Sequence, residues 1–508
     1  MFVKVRSAAF LGLQSYMVDV EVNSSRGLPG QSIVGLPDAA VKESRDRVKA
    51  AIGNSGFEFP AGYFTINLAP ADIRKEGPMY DLPMAVGILA NSEQITIADL
   101  DDTAVIGELS LDGRIRPVEG VLPMCLEIAK TNIRKVIVAP ENAGEAALVE
   151  KLDVIPAETL NDAASFLSGN LKLEPFKVDL KKMFGSGDEH ENDFADVKGQ
   201  FHAKRALEVA AAGGHNILLI GPPGSGKTML SRRLPSILPP LALDEALEVT
   251  KIYSVSGLLG NKRSLITRRP FRSPHHTTSD VGIVGGGRIP RPGEISLSHF
   301  GVLFLDEFPE FDREVLEVLR QPLEDGEVTI CRAATTITYP AQFMLVAAMN
   351  PCPCGNYGDP LHECVCPPYK VQRYLSRISG PILDRIDLHV EVPRLKKEEL
   401  ASQPSGEPSS AVRSRVAAAR DMQRKRFAGT KVSCNAKMTS KHIKKHCILD
   451  RQAEDLMKTA ILNLHLSGRA YDRILKVSRT IADLDRSDTI LARHVAEAVQ
   501  YRGAVKGG

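Results

Sequence analysis

The chain reads as an α/β fold: a core built on a parallel sheet, preceded by an α+β region and followed by helices. Three observations predict it. The apolar run Asn216-Ile-Leu-Leu-Ile220 leads directly into Gly221-Pro222-Pro223-Gly224-Ser225-Gly226-Lys227-Thr228 and then into a helix-like stretch, the strand–loop–helix order of a phosphate-binding loop. Val302-Leu-Phe-Leu305 is a buried-strand pattern that ends in two carboxylates, Asp306 and Glu307. Residues 1–170 mix strand-like alternation with helical periodicity, as in Val18-Asp-Val-Glu-Val22, whereas residues 411–508 are helical, with patterning over Val412–Phe427 and Leu449–Leu466.

Each motif implies chemistry. Glycines let backbone N–H groups curl around nucleotide phosphates, Lys227 brings a charge for the β- and γ-phosphates, and the Thr228 hydroxyl faces a Mg²⁺ ion. Taken alone, the loop could be a glycine-rich turn with an incidental lysine; its strand and helix flanks favour ATP. An apolar run ending in Asp-Glu is often only a strand end. Its distance after the loop favours a second role, in which Asp306 holds Mg²⁺ through its shell and Glu307 orients the attacking water.

Length and composition bound the rest. The 508 residues suggest about three domains. No run of 18 apolar residues exists, so no transmembrane helix is expected. The N-terminus continues as a strand without a small-residue cleavage site, which predicts a cytoplasmic protein. A formal charge of +2 is nearly neutral, so nucleic-acid binding rests on local patches.

Four of the eight cysteines fall in one window, Cys352-Pro-Cys354 and Cys364-Val-Cys366. Four thiolates can surround one tetrahedral Zn²⁺, although zinc sites more often use wider Cys-x-x-Cys pairs. The alternative is a set of reduced thiols in a turn held by Pro351, Pro353, Pro367 and Pro368. The polar segment Gly185–Asp193 marks a linker over residues 171–195, and Gln403–Ser410 separates a core over residues 196–400 from the helical C-terminus.

Beyond the two nucleotide motifs, Gly285-Gly-Gly-Arg-Ile-Pro-Arg-Pro-Gly-Glu294, Met349-Asn350-Pro351-Cys352-Pro353-Cys354-Gly355 and Gly380-Pro-Ile-Leu-Asp384-Arg385-Ile-Asp387 resemble segments of the YifB/ComM family, whose core is an AAA+ ATPase of the magnesium-chelatase-like group. The resemblance spans essentially the whole chain. It implies that Asn350 acts as sensor 1 on the lytic water or γ-phosphate, and that Arg385 is an arginine finger for the nucleotide of a neighbouring subunit. Such a finger requires a ring, and the resemblance implies a homohexamer. It also implies that Arg473, favoured over Arg469, is the sensor 2 arginine that a helical C-terminal lid brings over the nucleotide. The N-terminal region resembles the Lon-protease proteolytic fold, with Met79 where the family's serine stands and Leu122 where its lysine stands. Peptide hydrolysis there needs an activated nucleophile, so no protease activity is expected.

Between the two nucleotide motifs, Lys262, Arg263, Arg268, Arg269, Arg272, His275, His276, Arg288 and Arg291 form a cationic run with few acids. These are either solvated surface and subunit contacts or a positive track for DNA phosphates. Family resemblance places them in a helix-2 insertion facing a pore, beside a hairpin over Glu327–Ala341 that carries Arg332. The basic helix Arg413–Arg426 is either a second positive surface or an exposed lid face. Aromatic content of 5% without tryptophan favours backbone tracking of single-stranded and branched DNA over base stacking. The family's expected function is an ATP-driven DNA motor, helicase-like, that promotes branch migration while transforming DNA is integrated. A chelatase motor subunit and a protein-remodelling ATPase are the alternatives.

Overall fold

The structure is a computed structural model and describes residues 2–26, 28, 30–96, 100–185, 192–260, 264–287, 290–332, 335–359, 361–395, 406–430, 432–464 and 467–502. The chain forms two compact units, Met1–Gly187 with Ala242–Thr267, and Asp188–Leu241 with Arg268–Gly508. Most of the linker expected over Gly185–Asp193, and residues 401–405 of the second break, lie outside the described residues.

The first unit is built on a mixed sheet of β1 (Phe2–Leu11), β2 (Gln14–Ser25), β3 (Gly30–Val34), β4 (Tyr63–Ala69), β5 (Thr103–Val105), β6 (Lys135–Val138) and β7 (Asp153–Pro156), in the order β3-β4-β2-β1-β5-β6-β7. β1 and β2 form an antiparallel hairpin, and period-two alternation buries Val18, Val20 and Val22 on one face. The helix Asp81–Asn91 is apolar almost all round and is buried along its whole length, as that composition requires. Glu108–Leu109 pairs antiparallel with Ile115–Arg116 around the Asp112-Gly113 turn. Met79 and Leu122 are both buried.

One segment departs from the sequence reading. Residues 242–267, expected inside the 196–400 core, pack with the first unit. Their helix Leu243–Val255 buries Val249, Ile252 and Val255 and lies against the helix Val121–Ile128. Polar contacts fix it there: Ser254 Oγ donates to the buried Glu145 carboxylate at 2.6 Å, and Gly120 N–H donates to the Ser254 carbonyl at 3.1 Å.

The second unit carries a fully parallel sheet of β8 (Ile217–Ile220), β9 (Phe271–Arg272), β10 (Val302–Leu305), β11 (Met344–Met349) and β12 (Leu388–Glu391), in the order β9-β10-β11-β8-β12. Its inner strands are apolar at nearly every position because helices cover both faces. The C-terminal helices Ser409–Arg426, Ser440–His446, Arg451–Leu464, Gly468–Leu484 and Ala492–Gln500 contribute to the same hydrophobic core as the sheet. The first and third of these are the two helices expected from periodicity.

A buried polar web joins those helices to the N-terminal edge of the sheet. Asp387, just before β12, accepts from Arg473 Nη1 at 2.6 Å and from the Asn216 N–H at 3.2 Å, and lies 3.2 Å from His215 Nδ1. The other ring nitrogen of His215 lies 2.7 Å from Thr480 Oγ1. Asn435 Nδ2 donates to Thr480 and to Asp483, and Arg426 and Arg479 also donate to Asp483. Burial alone would raise the Asp387 carboxyl, but the Arg473 charge and the His215 hydrogen bond hold it well below the usual carboxylate range.

A carboxylate depressed on folding lends stability above its unfolded value of about 4, and that stability is lost as pH falls. Asp387→Asn leaves the Arg473 charge without its partner and should lower unfolding free energy by roughly 3 kcal/mol at neutral pH. Urea unfolding followed by circular dichroism measures this, since the chain has no tryptophan. An unchanged midpoint would show that the web contributes no stability.

Candidate nucleotide site

Parallel pairing brings three sequence motifs to one sheet edge. Ile220 is in register with Met349, and Leu305 with Ala347, so Gly221, Asn350 and Asp306 all leave the C-terminal ends of adjacent strands. That edge is where open α/β sheets bind ligands. The loop turns through Gly224 at φ 75° and Gly226 at φ 95°, conformations that glycine adopts without Cβ strain. The helix Lys227–Ile237 starts immediately afterwards, with its free N–H groups at the loop.

Lys227 is buried within the loop. Its ammonium donates to the carbonyls of Gly221 at 2.7 Å and Pro222 at 3.0 Å, and to Asn350 Oδ1 at 3.2 Å. Burial pushes its pKa down to about 8, against the pull of the Asp306 charge. The expected sensor 1 amide is therefore in direct contact with the phosphate-binding lysine. Thr228 Oγ1 donates to Asp306 Oδ2 at 2.6 Å. Adjacent ligands in an octahedral Mg²⁺ shell lie about 2.9 Å apart, so these two oxygens fit that ion after a small opening. Ser225 Oγ is buried and has no hydrogen-bond partner among the described residues.

Glu307 stands at φ 52°, ψ 44°. A left-handed backbone at a residue with a Cβ costs on the order of 1–3 kcal/mol and persists where the surroundings hold it. Its carboxylate is 58% exposed and lies 3.2 Å from His276 Nδ1. His276 was read from sequence as one cation in a run. The structure makes it the partner of the expected catalytic carboxylate. Gln200 is a further residue that sequence reading missed: its Nε2 donates to the carbonyls of Ser225 at 3.2 Å and Pro393 at 2.7 Å, clamping the loop. A single glutamine ahead of a helix carries no motif that would have revealed it.

The two remaining expected arginines lie elsewhere. Arg385 is 6% exposed; its Nη2 is 2.5 Å from Glu324, and its Nη1 donates to the Pro381 carbonyl at 2.7 Å. Its ion partner is thus Glu324 and neither Asp384 nor Asp387. The Arg385 carbonyl meets Asn216 at the start of β8, a full strand, about 13 Å, from the phosphate loop of its own chain. Arg473 is drawn to the same edge by Asp387. The buried carboxylate decides where this guanidinium goes, and it points to the opposite sheet edge from the phosphate loop of its own chain.

Among the expected DNA-binding cations, Arg269 is committed to the chain itself. It donates to the carbonyls of Pro239 and Phe300, each at 2.7 Å, and of Pro240 at 3.3 Å. Arg272 forms a two-point pair with Glu294, both contacts at 2.6 Å. Both guanidinium groups are thus engaged within the chain. Arg268 and Arg291 are exposed. Lys262, Arg263 and Arg288 lie outside the described residues, as does the side chain of Arg332. The hairpin that carries Arg332 forms as Glu327–Arg332 against Thr335–Pro340, and Tyr339 at its base donates to the Pro290 carbonyl at 2.7 Å.

Cys352, Cys354, Cys364 and Cys366 converge, with all four Sγ atoms within 4.8 Å of one another and Cys352 and Cys354 each 3.6 Å from Cys364. A tetrahedron with Zn–S bonds of about 2.3 Å requires S···S separations of about 3.8 Å, so the donor set fits. The Asn356 N–H helps to hold Cys354 down to about 6, while the neighbouring thiols push Cys364 up to about 12 and Cys366 upward. Gly355, at φ 84°, lets this loop approach the phosphate loop; a Cβ there would sit 2.4 Å from Pro223 Cδ.

Comparison with known proteins matches this organisation. Residues 193–400 match the family model "Magnesium chelatase, subunit ChlI", residues 20–142 match "Subunit ChlI of Mg-chelatase", and residues 406–502 match "Magnesium chelatase, subunit ChlI C-terminal". The chain is 47% identical over 501 residues to an uncharacterised protein, YifB, of Salmonella typhimurium, covering 98% of this chain and 96% of that protein. It is 47% identical over 507 residues to the competence protein ComM of Haemophilus influenzae, covering 99% and 97%. A weaker similarity, 29% over 147 residues, links it to Lon protease 2 of Bacillus subtilis, covering 28% of this chain and 26% of that protein.

The depressed Lys227 pKa has a measurable consequence. A phosphate stabilises the charged ammonium, so nucleotide binding is tightest below about pH 8 and weakens above it, by up to roughly tenfold per pH unit, until the raised pKa of the complex is reached. Titration of a fluorescent ATP analogue between pH 7 and pH 10 tests this. Affinity that stays flat across that range would show that Lys227 does not titrate there.

Proposed function

The chain belongs to the YifB/ComM family of magnesium-chelatase-like AAA+ proteins, and from that membership and its phosphate site we propose that it is an ATP-driven, ring-shaped DNA motor. Its action is helicase-like branch migration of DNA during homologous integration of transforming DNA, in line with the name of the Haemophilus relative. The carrying observation is the convergence of Lys227, Thr228, Asp306 and Asn350 at one sheet edge while Arg385 leaves from the other. One chain supplies the phosphate pocket, and a neighbour supplies the finger. That division of labour calls for a closed assembly, a homohexamer in this reading, in the cytoplasm.

Lys227 and the loop N–H groups hold the β- and γ-phosphates, and Asn350 positions the γ-phosphate beside the lysine. Glu307 orients water for in-line attack and takes its proton, with His276 restraining the carboxylate. Thr228 and Asp306 would hold Mg²⁺, which when bound neutralises phosphate charge. Arg385 of a neighbour balances charge that develops on the γ-phosphate; Arg473, on the same edge, faces that neighbour too. Exposed Arg268 and Arg291, with the cations outside the described residues, form the DNA track. The cysteine cluster holds a structural Zn²⁺, and one equivalent of zinc per chain in purified protein is expected. Stoichiometrically absent metal would leave only a thiol turn. The chelatase family models support a second reading, a motor subunit for metal insertion into a porphyrin, which predicts stimulation by partner proteins and not by DNA.

Branch migration on a labelled three-strand junction, with ATP and no accessory protein, tests the main reading. Wild type should exchange strands, whereas Glu307→Gln should bind ATP, hold the ring together and exchange none. ATP turnover without exchange would count against DNA as the client. Mixing inactive Arg385→Ala with inactive Lys227→Ala chains should restore part of the ATPase, since some interfaces then pair an intact pocket with an intact finger.

A further inference from the structure

The cysteine loop and the helix after it present groups that the ATPase does not use. The helix Pro368–Leu375 begins two residues after Cys366. Val371 and Tyr374 form its buried face, while Tyr369, Lys370 and Arg373 project outward, neighbours at spacings of three and four residues. Tyr369 is 63% exposed and Tyr357 is 55% exposed. Tyrosine rings this open are uncommon in a chain with 5% aromatic residues, and these two flank one cluster. The Tyr357 N–H donates to Cys352 Sγ at 3.3 Å, and Tyr369 follows Cys366 by three residues, so the thiol cluster fixes both backbones.

Cations line the adjoining cleft of about 710 Å³, bounded by Phe311, Arg313, Pro353, Lys370, Arg373 and Arg377 among others. Arg377 is engaged by Glu310 at 2.7 Å. Arg313, Lys370 and Arg373 are exposed and make no ion pair among the described residues. Unpaired cations beside open aromatic rings match single-stranded nucleic acid on both of its chemistries, phosphate and base face. We infer that the Cys352–Cys366 loop and the helix after it form a second contact surface for single-stranded nucleic acid, in which Tyr357 and Tyr369 stack on bases and Lys370 and Arg373 hold the backbone. The inference rests on the DNA-motor reading and adds base stacking to it, where low aromatic content had favoured backbone tracking alone.

The test uses full-length protein and three probes: a fluorescein-labelled oligothymidine of about 30 nucleotides, an abasic oligonucleotide of the same length, and sedimentation velocity. Tyr357→Ala/Tyr369→Ala should weaken oligothymidine binding roughly 10- to 100-fold and leave abasic binding unchanged, and Tyr357→Phe/Tyr369→Phe should retain binding. Lys370→Ala/Arg373→Ala should weaken both probes and reduce the salt slope by about 1.4. ATP binding and metal content identical to wild type certify folding of each variant. If wild type binds no oligonucleotide, the DNA reading falls and this one with it. If wild type binds and the tyrosine-to-alanine variant binds equally well, this inference alone is overturned. Loss of binding that tracks a change in assembly overturns it too, assigning the face, with its exposed Leu361 and Val365, to contact between subunits.

Discussion

Enclosing an ammonium group in a loop of carbonyl oxygens is the constraint around which the second unit is arranged. Lys227 is taken out of water and given the oxygens of Gly221, Pro222 and Asn350 in place of hydration, and its depressed pKa is the trace of what that enclosure costs. The loop has to curl tightly enough to aim those carbonyls inward, which is why glycine stands at its left-handed positions. The central strand has to be parallel to both neighbours, or the amide and the metal-binding carboxylate would not arrive at the same edge.

The opposite edge of the sheet solves a different problem. Helices from the C-terminal quarter share the apolar core of the sheet, and their orientation is set by Asp387 and Asp483, each surrounded by donors from several elements. A fully satisfied buried network is directional, whereas apolar packing is not. It therefore fixes where the arginines of the helix Gly468–Leu484 point. Arg473 is the clearest case, since its partner sits 86 positions earlier in the chain.

What could be read from sequence divides along the same line. The phosphate loop, the Asp-Glu strand end, Asn350 and the two Cys-x-Cys pairs are short local motifs whose geometry follows from short-range backbone rules, and the structure brings the first three to one sheet edge and the four thiols together. The α/β class and the long C-terminal helices were legible because periodicity reports burial. Side-chain partners chosen across the fold were not. Arg269 and Arg272 look like free cations in sequence, yet Phe300 and Glu294 capture them. His276 carries no signal of its contact with Glu307, and Gln200 none of its grip on Ser225. Residues 242–267 mislead for the same reason, since their apolar face matches a helix more than a hundred residues upstream.

That last segment affects how the molecule can be taken apart. The chain passes from the first unit to the second near residue 187, returns at 242 and leaves again at 268, so three peptide crossings connect two cores. A protease nick in the polar linker would cut the chain in two, yet residues 242–267 would stay on the second fragment and hold it to the first by packing alone. A gene fragment starting near residue 196 would express an ATPase with an orphaned amphipathic helix, prone to self-association. Recombination that shuffled the N-terminal unit as a simple cassette would meet the same obstacle. The first unit is completed by a segment encoded inside the second, so neither is a contiguous stretch of the gene.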